Sequence, residues 1–192
     1  MLNQIRHWIN LVKNTDKEQE FYINQANHYR TEERAKWWPV SKELMASYRD
    51  GDKPAYIDAD GALHWDNGQL HRDEDKPAVI YANGTLGWYK NGLLHRDGDK
   101  PAWIGADGAL EWCKNGEQHR DGHKPAEIWA DGTLEWWKNS RVHRLTGPAV
   151  IDSNNKFEWW FKGKKIPVKS QEKFLQWLEK NGHVDVYRLR KS

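Results

Sequence analysis

A period of about 24 residues constrains this chain more than any other feature. His71–Leu94 reads HRDEDKPAVIYANGTLGWYKNGLL, His95–Gln118 reads HRDGDKPAWIGADGALEWCKNGEQ, and His119–Val142 reads HRDGHKPAEIWADGTLEWWKNSRV. Five prolines carry the register outward to both sides: Pro54, Pro77, Pro101, Pro125 and Pro148, each followed by Ala. Each Pro is followed at fixed distances by Ile (57, 80, 104, 128, 151), then Leu or Phe (63, 86, 110, 134, 157), then Trp (65, 88, 112, 136, 159). Self-similarity at this period marks an array of supersecondary units, none of which can bury its apolar face alone.

Two turn signals punctuate each unit. One is Asp60-Gly61, Asn83-Gly84, Asp107-Gly108 and Asp131-Gly132, with Asn154-Asn155 in the last unit; the other is Asn67-Gly68, Asn91-Gly92 and Asn115-Gly116, decaying to Asn139-Ser140 and Lys162-Gly163. Alternating apolar runs between Asn/Asp-Gly pairs are hairpin signals. A two-residue loop at Asn83-Gly84 would put Ile80 and Leu86 on opposite faces. A three-residue loop, Ala82-Asn83-Gly84 with a left-handed Gly, pairs Ile80 with Leu86 and Ala78 with Trp88, and all four recurrent apolar positions then share one face. At the second turn, the first unit has one residue fewer between Trp and Asn. Lys-Asn-Gly loops in the longer units would keep the pairing constant: Trp65 with Leu70, Trp88 with Leu94, Trp112 with Gln118, Trp136 with Val142. That register sets His119 opposite Glu111 and His143 opposite Glu135. The expected fold is mainly β: an elongated antiparallel hairpin-repeat sheet of about ten strands in five units, roughly 45–50 Å long, flanked by N- and C-terminal α-helices.

The boundaries follow from where the period starts and stops: a helical segment over 1–46, the repeat array over 47–166, and a capping helix with tail over 167–192. Leu2, Ile5, Trp8, Ile9 and Val12 have helical spacing, and a second helix runs from the Thr15–Glu18 capping box to about Trp37 with a stripe of Phe21, Tyr22, Ala26 and Tyr29. Pro39 ends it, and Ser41 caps a short turn through Met45. These helices are expected to dock on the sheet and cover one end of it. Ser170 caps a C-terminal helix through Asn181, stopped by Gly182. His183–Leu189 alternates like a last strand, and Arg188, Arg190 and Lys191 form a basic tail. Aliphatic side chains are few, but 13 Trp and 7 Tyr supply burial instead, at roughly 150–250 Å² each. Cys113 is the single cysteine, which excludes a disulfide framework. Met1–Lys13 is too polar for a signal peptide and no run approaches the ~20 apolar residues of a membrane span; the expected location is cytoplasmic. A net charge of +2 weighs against general nucleic-acid binding.

Leu134–Asn139 (LEWWKN), the Trp-x-Lys-Asn-Gly-x-x-His pattern at Trp112–His119 and the Ala-Asp-Gly turns resemble MORN-type repeats, specifically variant units with His-Arg…Pro-Ala found in bacterial, viral and protist proteins. The resemblance covers residues 48–166 and implies an elongated hairpin sheet serving protein interaction, assembly or lipid association, with a phage or bacterial origin as its expectation. Arg-Asp-x-x-Lys-Pro-Ala stands where the family has glycines after the His, so the resemblance does not by itself carry the lipid role to this chain.

The repeated polar residues read as scaffold. His71, His95, His119 and His143 recur ~9.6 Å apart, too far to converge on one zinc ion. His-Arg-Asp also echoes a kinase catalytic loop, but occurs three times with no phosphate loop. Asp73–Asp75 and Asp97–Asp99 lack the EF-hand pattern. No metal, cofactor or catalytic set is expected. Arg72, Arg96, Arg120 and Arg144 form a ladder that could either meet a partner's acidic groups or be neutralised by the Asp that follows the first three. On the face opposite the core lie residues that differ between units: Tyr56, Val79, Tyr81, Trp103 and Trp129, joined by Tyr89, Trp137 and Trp160. Trp, Tyr and Arg dominate interface energetics. The expected function is non-enzymatic binding of a protein partner, as inhibitor (of a host defence protein, for example), antitoxin-like partner or scaffold, with self-association as a further expectation. The alternative is a small-ligand or nucleic-acid binder using the arginines and aromatic stacking. The helices could instead cover this face.

Overall fold

The computed structural model describes residues 20–33 and 53–183. One eleven-stranded antiparallel sheet forms its body, from Tyr56–Ile57 at one edge to Lys164–Ile166 at the other. Each unit contributes two strands to it. Their register is the one that puts the apolar repeat on a single face: Ile57 pairs with Leu63, Ile80 with Leu86, Ile104 with Leu110, Ile128 with Leu134 and Ile151 with Phe157. Between units, Leu63 pairs with Ile80, Leu86 with Ile104, Leu110 with Ile128 and Leu134 with Ile151. The result is one Ile–Leu ladder across the sheet, fully buried from Ile80 to Ile151, with the Ala and Trp rows beside it. The first turn is a three-residue loop: Tyr81 donates its N–H to the Thr85 carbonyl, and Gly84 is left-handed at φ +86°.

The second turn departs from expectation. Tyr89 pairs with Leu94, Cys113 with Gln118 and Trp137 with Val142, one residue away from the predicted Trp pairings. The longer units use two-residue Asn-Gly, Asn-Ser or, in the last, Lys-Gly turns with both residues at positive φ, the type I′ geometry that matches strand twist. Only the first unit uses a three-residue loop, bridging Asp66 to Leu70. His119 therefore lies opposite Trp112, to whose carbonyl it donates its N–H, and His143 likewise opposite Trp136; neither faces a glutamate. The tip hairpins of the middle three units form separate two-stranded sheets. The chain after each one leaves the sheet, runs through a loop that begins His-Arg (His-Arg-Asp after the first two, His143-Arg144-Leu145 after the third), and rejoins the same neighbouring strand. Pairs of left-handed residues, Glu74-Asp75, Gly98-Asp99 and Gly122-His123, reverse it there. Each predicted connecting strand is thus two pieces separated by a loop.

The arginines hold these loops. Arg72, Arg96, Arg120 and Arg144 stack on Trp65, Trp88, Trp112 and Trp136, with guanidinium carbons 3.7–3.9 Å from the ring centres. Each donates to the carbonyl of the following Pro. Arg96 also forks onto Asp75 of the preceding loop at 2.6 and 3.1 Å, where Lys100 joins at 2.6 Å; Arg120 and Lys124 do the same at Asp99. The indole N–H groups of Trp88, Trp112 and Trp136 donate to the carbonyls of Asp75, Asp99 and His123. One Trp thus carries the apolar core on one side and clamps two consecutive loops on the other.

The N-terminal helix, residues 20–28 continuing as a π-helical turn at Tyr29–Glu33, docks on the core face rather than on the varied face. Tyr22, Ala26 and Tyr29 form its inward stripe: Tyr22 meets Trp136 edge-on at 6.3 Å and Tyr29 meets Trp112 at 6.1 Å. Phe21, expected in that stripe, is exposed. Arg30 donates to the carbonyls of Gly108 and Trp129, pinning the helix to two hairpin loops. The C-terminal helix, Gln171–Lys180, starts at Ser170, whose hydroxyl accepts from the Lys173 N–H, and ends before Gly182 at φ +66°. Phe174 and Leu178 close a second core with Trp159, Phe161 and Ile166. The expected first helix, the Ser41 turn, the last strand beyond His183 and the basic tail lie outside the described residues.

Candidate interaction face

The face opposite the Ile–Leu ladder is built by the same pairing. Its central row runs Tyr56, His64, Val79, Gly87, Trp103, Glu111, Glu127, Glu135, Val150, Glu158, each the cross-strand partner of the next. The row divides in two. Its first half is aromatic: Tyr56 stacks on the His64 ring at 4.4 Å, His64 meets Tyr81 at 6.4 Å, and Tyr81 meets Trp103 at 5.6 Å. Gly87 leaves room for them, since a Cβ there would fall 2.8 Å from the Tyr89 ring and 3.4 Å from Trp103. Asp58, accepting from His64 and from the Ala62 backbone, is held below the usual carboxylate range, chiefly by the His64 hydrogen bond.

The second half is acidic. Glu111, Glu127 and Glu135 occupy three consecutive strands with nothing between them, although like charges directly opposite each other destabilise a sheet. Their donors among the described residues are neutral: Gln118 donates to Glu127 at 3.2 Å, and the indoles of Trp129 and Trp137 donate to the two oxygens of Glu135 at 3.3 and 3.0 Å. Glu127, in the middle and 5% exposed, is pushed up to about 7 by burial and then by the charges of Glu135 and Glu111. Burial also raises Glu111 and Glu135, against the hydrogen bonds they accept. Beside them the Cys113 thiol is pushed up to about 12 by burial and the neighbouring carboxylates, so it is a packed side chain and not a nucleophile. Glu158, farther along, accepts from Trp160 and pairs with Lys165.

The varied aromatic residues named from the sequence, Tyr56, Tyr81, Tyr89, Trp103, Trp129, Trp137 and Trp160, are gathered around this row. Tyr56 at 49% and Trp129 at 41% are the most exposed of them, while the rest are half-buried. Val79 is fully buried. The four arginines are not brought here. Arg96, Arg120 and Arg144 are buried and Arg72 half-buried, all turned into the loops. Nor is the Asp after each Arg its partner. Asp73, Asp97 and Asp121 accept instead from Nε2 of His71, His95 and His119, while Nδ1 of His71 and of His95 accepts the backbone N–H of the next unit's turn asparagine. These histidines link successive tip hairpins, a task that the backbone shares through Gly92, Gly116 and Ser140.

The carboxylate row was missing from the sequence reading, although the signal was present. Glu127 holds the position after Pro-Ala that Tyr56, Val79 and Trp103 hold in other units, and the Ile128–Leu134 register puts it opposite Glu135. No protein-family model, curated protein or solved structure matches this chain. Among the described residues, no helix is long and apolar enough to cross a membrane.

Proposed function

We propose that this is a non-catalytic, cytoplasmic binding protein of MORN type that offers its varied sheet face to a protein partner, acting by occlusion or as a scaffold. The observation that carries the reading is the division of labour between faces: one repeats Ile, Leu and Trp unit after unit and is packed under a helix, while the other differs in every unit and collects aromatic side chains, with Tyr56 and Trp129 open to solvent. Large amphipathic aromatics at a partly exposed centre are the residue types that carry interface energy. A polyanion is the poorer fit, because the arginines that would meet it are spent on the loops and the open face carries carboxylates.

The test is recovery of the chain with what it binds in its native cell, followed by mass spectrometry, in parallel with Trp103→Ala and Trp129→Ala. The expected result is a stoichiometric protein that both variants lose while melting within a few degrees of the parent. A partner retained by both variants would remove this face from consideration.

A further inference from the structure

We propose that the partner presents basic side chains, arginine or lysine, to the Glu111–Glu127–Glu135 row, with an apolar or aromatic neighbour seated on Tyr81 and Trp103. This rests on the varied face being the binding surface, and it names the chemistry that surface selects.

The argument starts from charge that the fold places but does not cancel. Three carboxylates elsewhere in the molecule are met by cations: Asp75 by Arg96 and Lys100, Asp99 by Arg120 and Lys124, Glu158 by Lys165. The central three are met by an amide and two indoles. Such donors orient a carboxylate without neutralising it. The strands cannot slip to separate the three, because a one-residue shift would turn the Ile–Leu ladder to solvent. Side-chain register on the core face therefore enforces a like-charge row on the other face, in a protein whose overall charge is +2.

The surroundings narrow the ligand. Among the described residues, no group of three acids, histidines or cysteines could hold a metal ion; these glutamates stand in line at strand spacing, so the row extends over ~10 Å. An extended peptide places alternate side chains ~6.6–6.8 Å apart, so two basic residues at i and i+2 can both lie over the row. The exposed indole of Trp129 and the half-buried Trp137 flank it and favour a cation over their faces. Arginine, with a planar fork that pairs with carboxylates and stacks on aromatics, suits the site better than lysine. The aromatic half begins one strand away, at Trp103, so the segment that fits combines basic and apolar residues.

The probe is an eight-residue peptide alternating arginine and leucine, titrated against the full chain and followed by calorimetry, with a glutamate–leucine peptide as control. Expected is saturable binding of the arginine peptide, weakened at least tenfold in the Glu111→Gln/Glu135→Gln double variant and weakened by salt, with no binding of the control. Gln at 135 keeps one acceptor for the two indoles and gives up the other, so a thermal melt is run to confirm that the double variant folds. Equal affinity of the arginine peptide for parent and double variant, or no binding at millimolar peptide, overturns the proposal. The two readings fail separately. If the native partner is lost by Trp103→Ala and Trp129→Ala but kept by the double variant, the face binds but not through basic residues. If all three variants keep it, both readings fall.

Discussion

The two faces of this sheet share a backbone and a register, yet they are under opposite chemical rules. On the core face every unit supplies the same Ile, Ala and Trp with Leu (Phe157 in the last unit), each neighbour completes the burial of the last, and the N-terminal helix covers the third and fourth units. On the other face the same positions hold Tyr, Val, Trp, Glu and Val in one strand series and His, Gly, Glu, Glu and Glu in the other. Repetition is needed where units must interlock and is relaxed where they meet only across a strand gap, although Glu recurs at 111, 135 and 158. The most informative residues for activity are therefore those the period does not predict.

The widest separation between the faces lies in their tryptophans. Trp112 is 2% exposed, lies under Tyr29, stacks on Arg120 and bonds the Asp99 carbonyl. Trp112→Ala is expected to destabilise by about 3–5 kcal/mol, measured by urea denaturation, whereas Trp129→Ala should change stability by less than about 1 kcal/mol. Equal losses would mean that the varied face is as structural as the core.

Carboxylates sharpen the same contrast within the loops. Asp99 accepts a fork from Arg120, whose side chain is 1% exposed, and a further bond from Lys124, and these contacts hold its carboxyl below the usual range against the opposing cost of burial. Asp99→Asn would leave a buried guanidinium short of charge, at a cost of about 2–4 kcal/mol. Asp121, just as much a part of the His-Arg-Asp-x-x motif, is 78% exposed and pairs only with His119 and Lys114. Its Asn variant should be close to neutral, as surface pairs usually are. Denaturant midpoints of the two variants measured side by side check both.

How much of this was readable beforehand depends on the range of the interaction. The Ile80–Leu86 register and the Ser170 cap follow from residues a few positions apart, whose turn geometry or spacing admits one solution. The tip register was misread because the short first unit was made to share its pairing with the longer ones; locally, Asn91-Gly92 prefers a type I′ turn, and that preference outweighs uniformity. The partner of Arg96 could not be read, since Asp75 lies 21 residues away in the preceding loop and meets the guanidinium through the fold, beside the Trp88 ring on which it stacks. The varied aromatics were placed on the correct side by alternation alone. The glutamate row needed only the same alternation carried across five strands.

The row also supplies the comparison's most direct reversal, a substitution on the varied face expected to stabilise. The fold pushes Glu127 up to about 7 from an ordinary value near 4.3. The groups around it are Glu111 and Glu135 on the flanking strands, Cys113 and Gln118 on the adjacent tip hairpin, and Trp137. Below about pH 4 the carboxyl is protonated whether the chain is folded or not, and Glu127→Gln should match the parent. As pH rises, the unfolded chain releases this proton first, so the parent loses stability up to about pH 7 and then levels off. The variant should therefore gain on the parent across that window, by an amount on the order of 3–4 kcal/mol at pH 8. Melting curves of the two proteins at pH 4, 6 and 8 measure it, and parallel behaviour at all three would show that the row carries no excess charge. A basic partner works in the opposite sense, favouring the ionised form. Peptide binding should strengthen in the parent as pH rises through 7 and depend less on pH in the variant, so the substitution that steadies the free protein is the one that weakens its proposed complex.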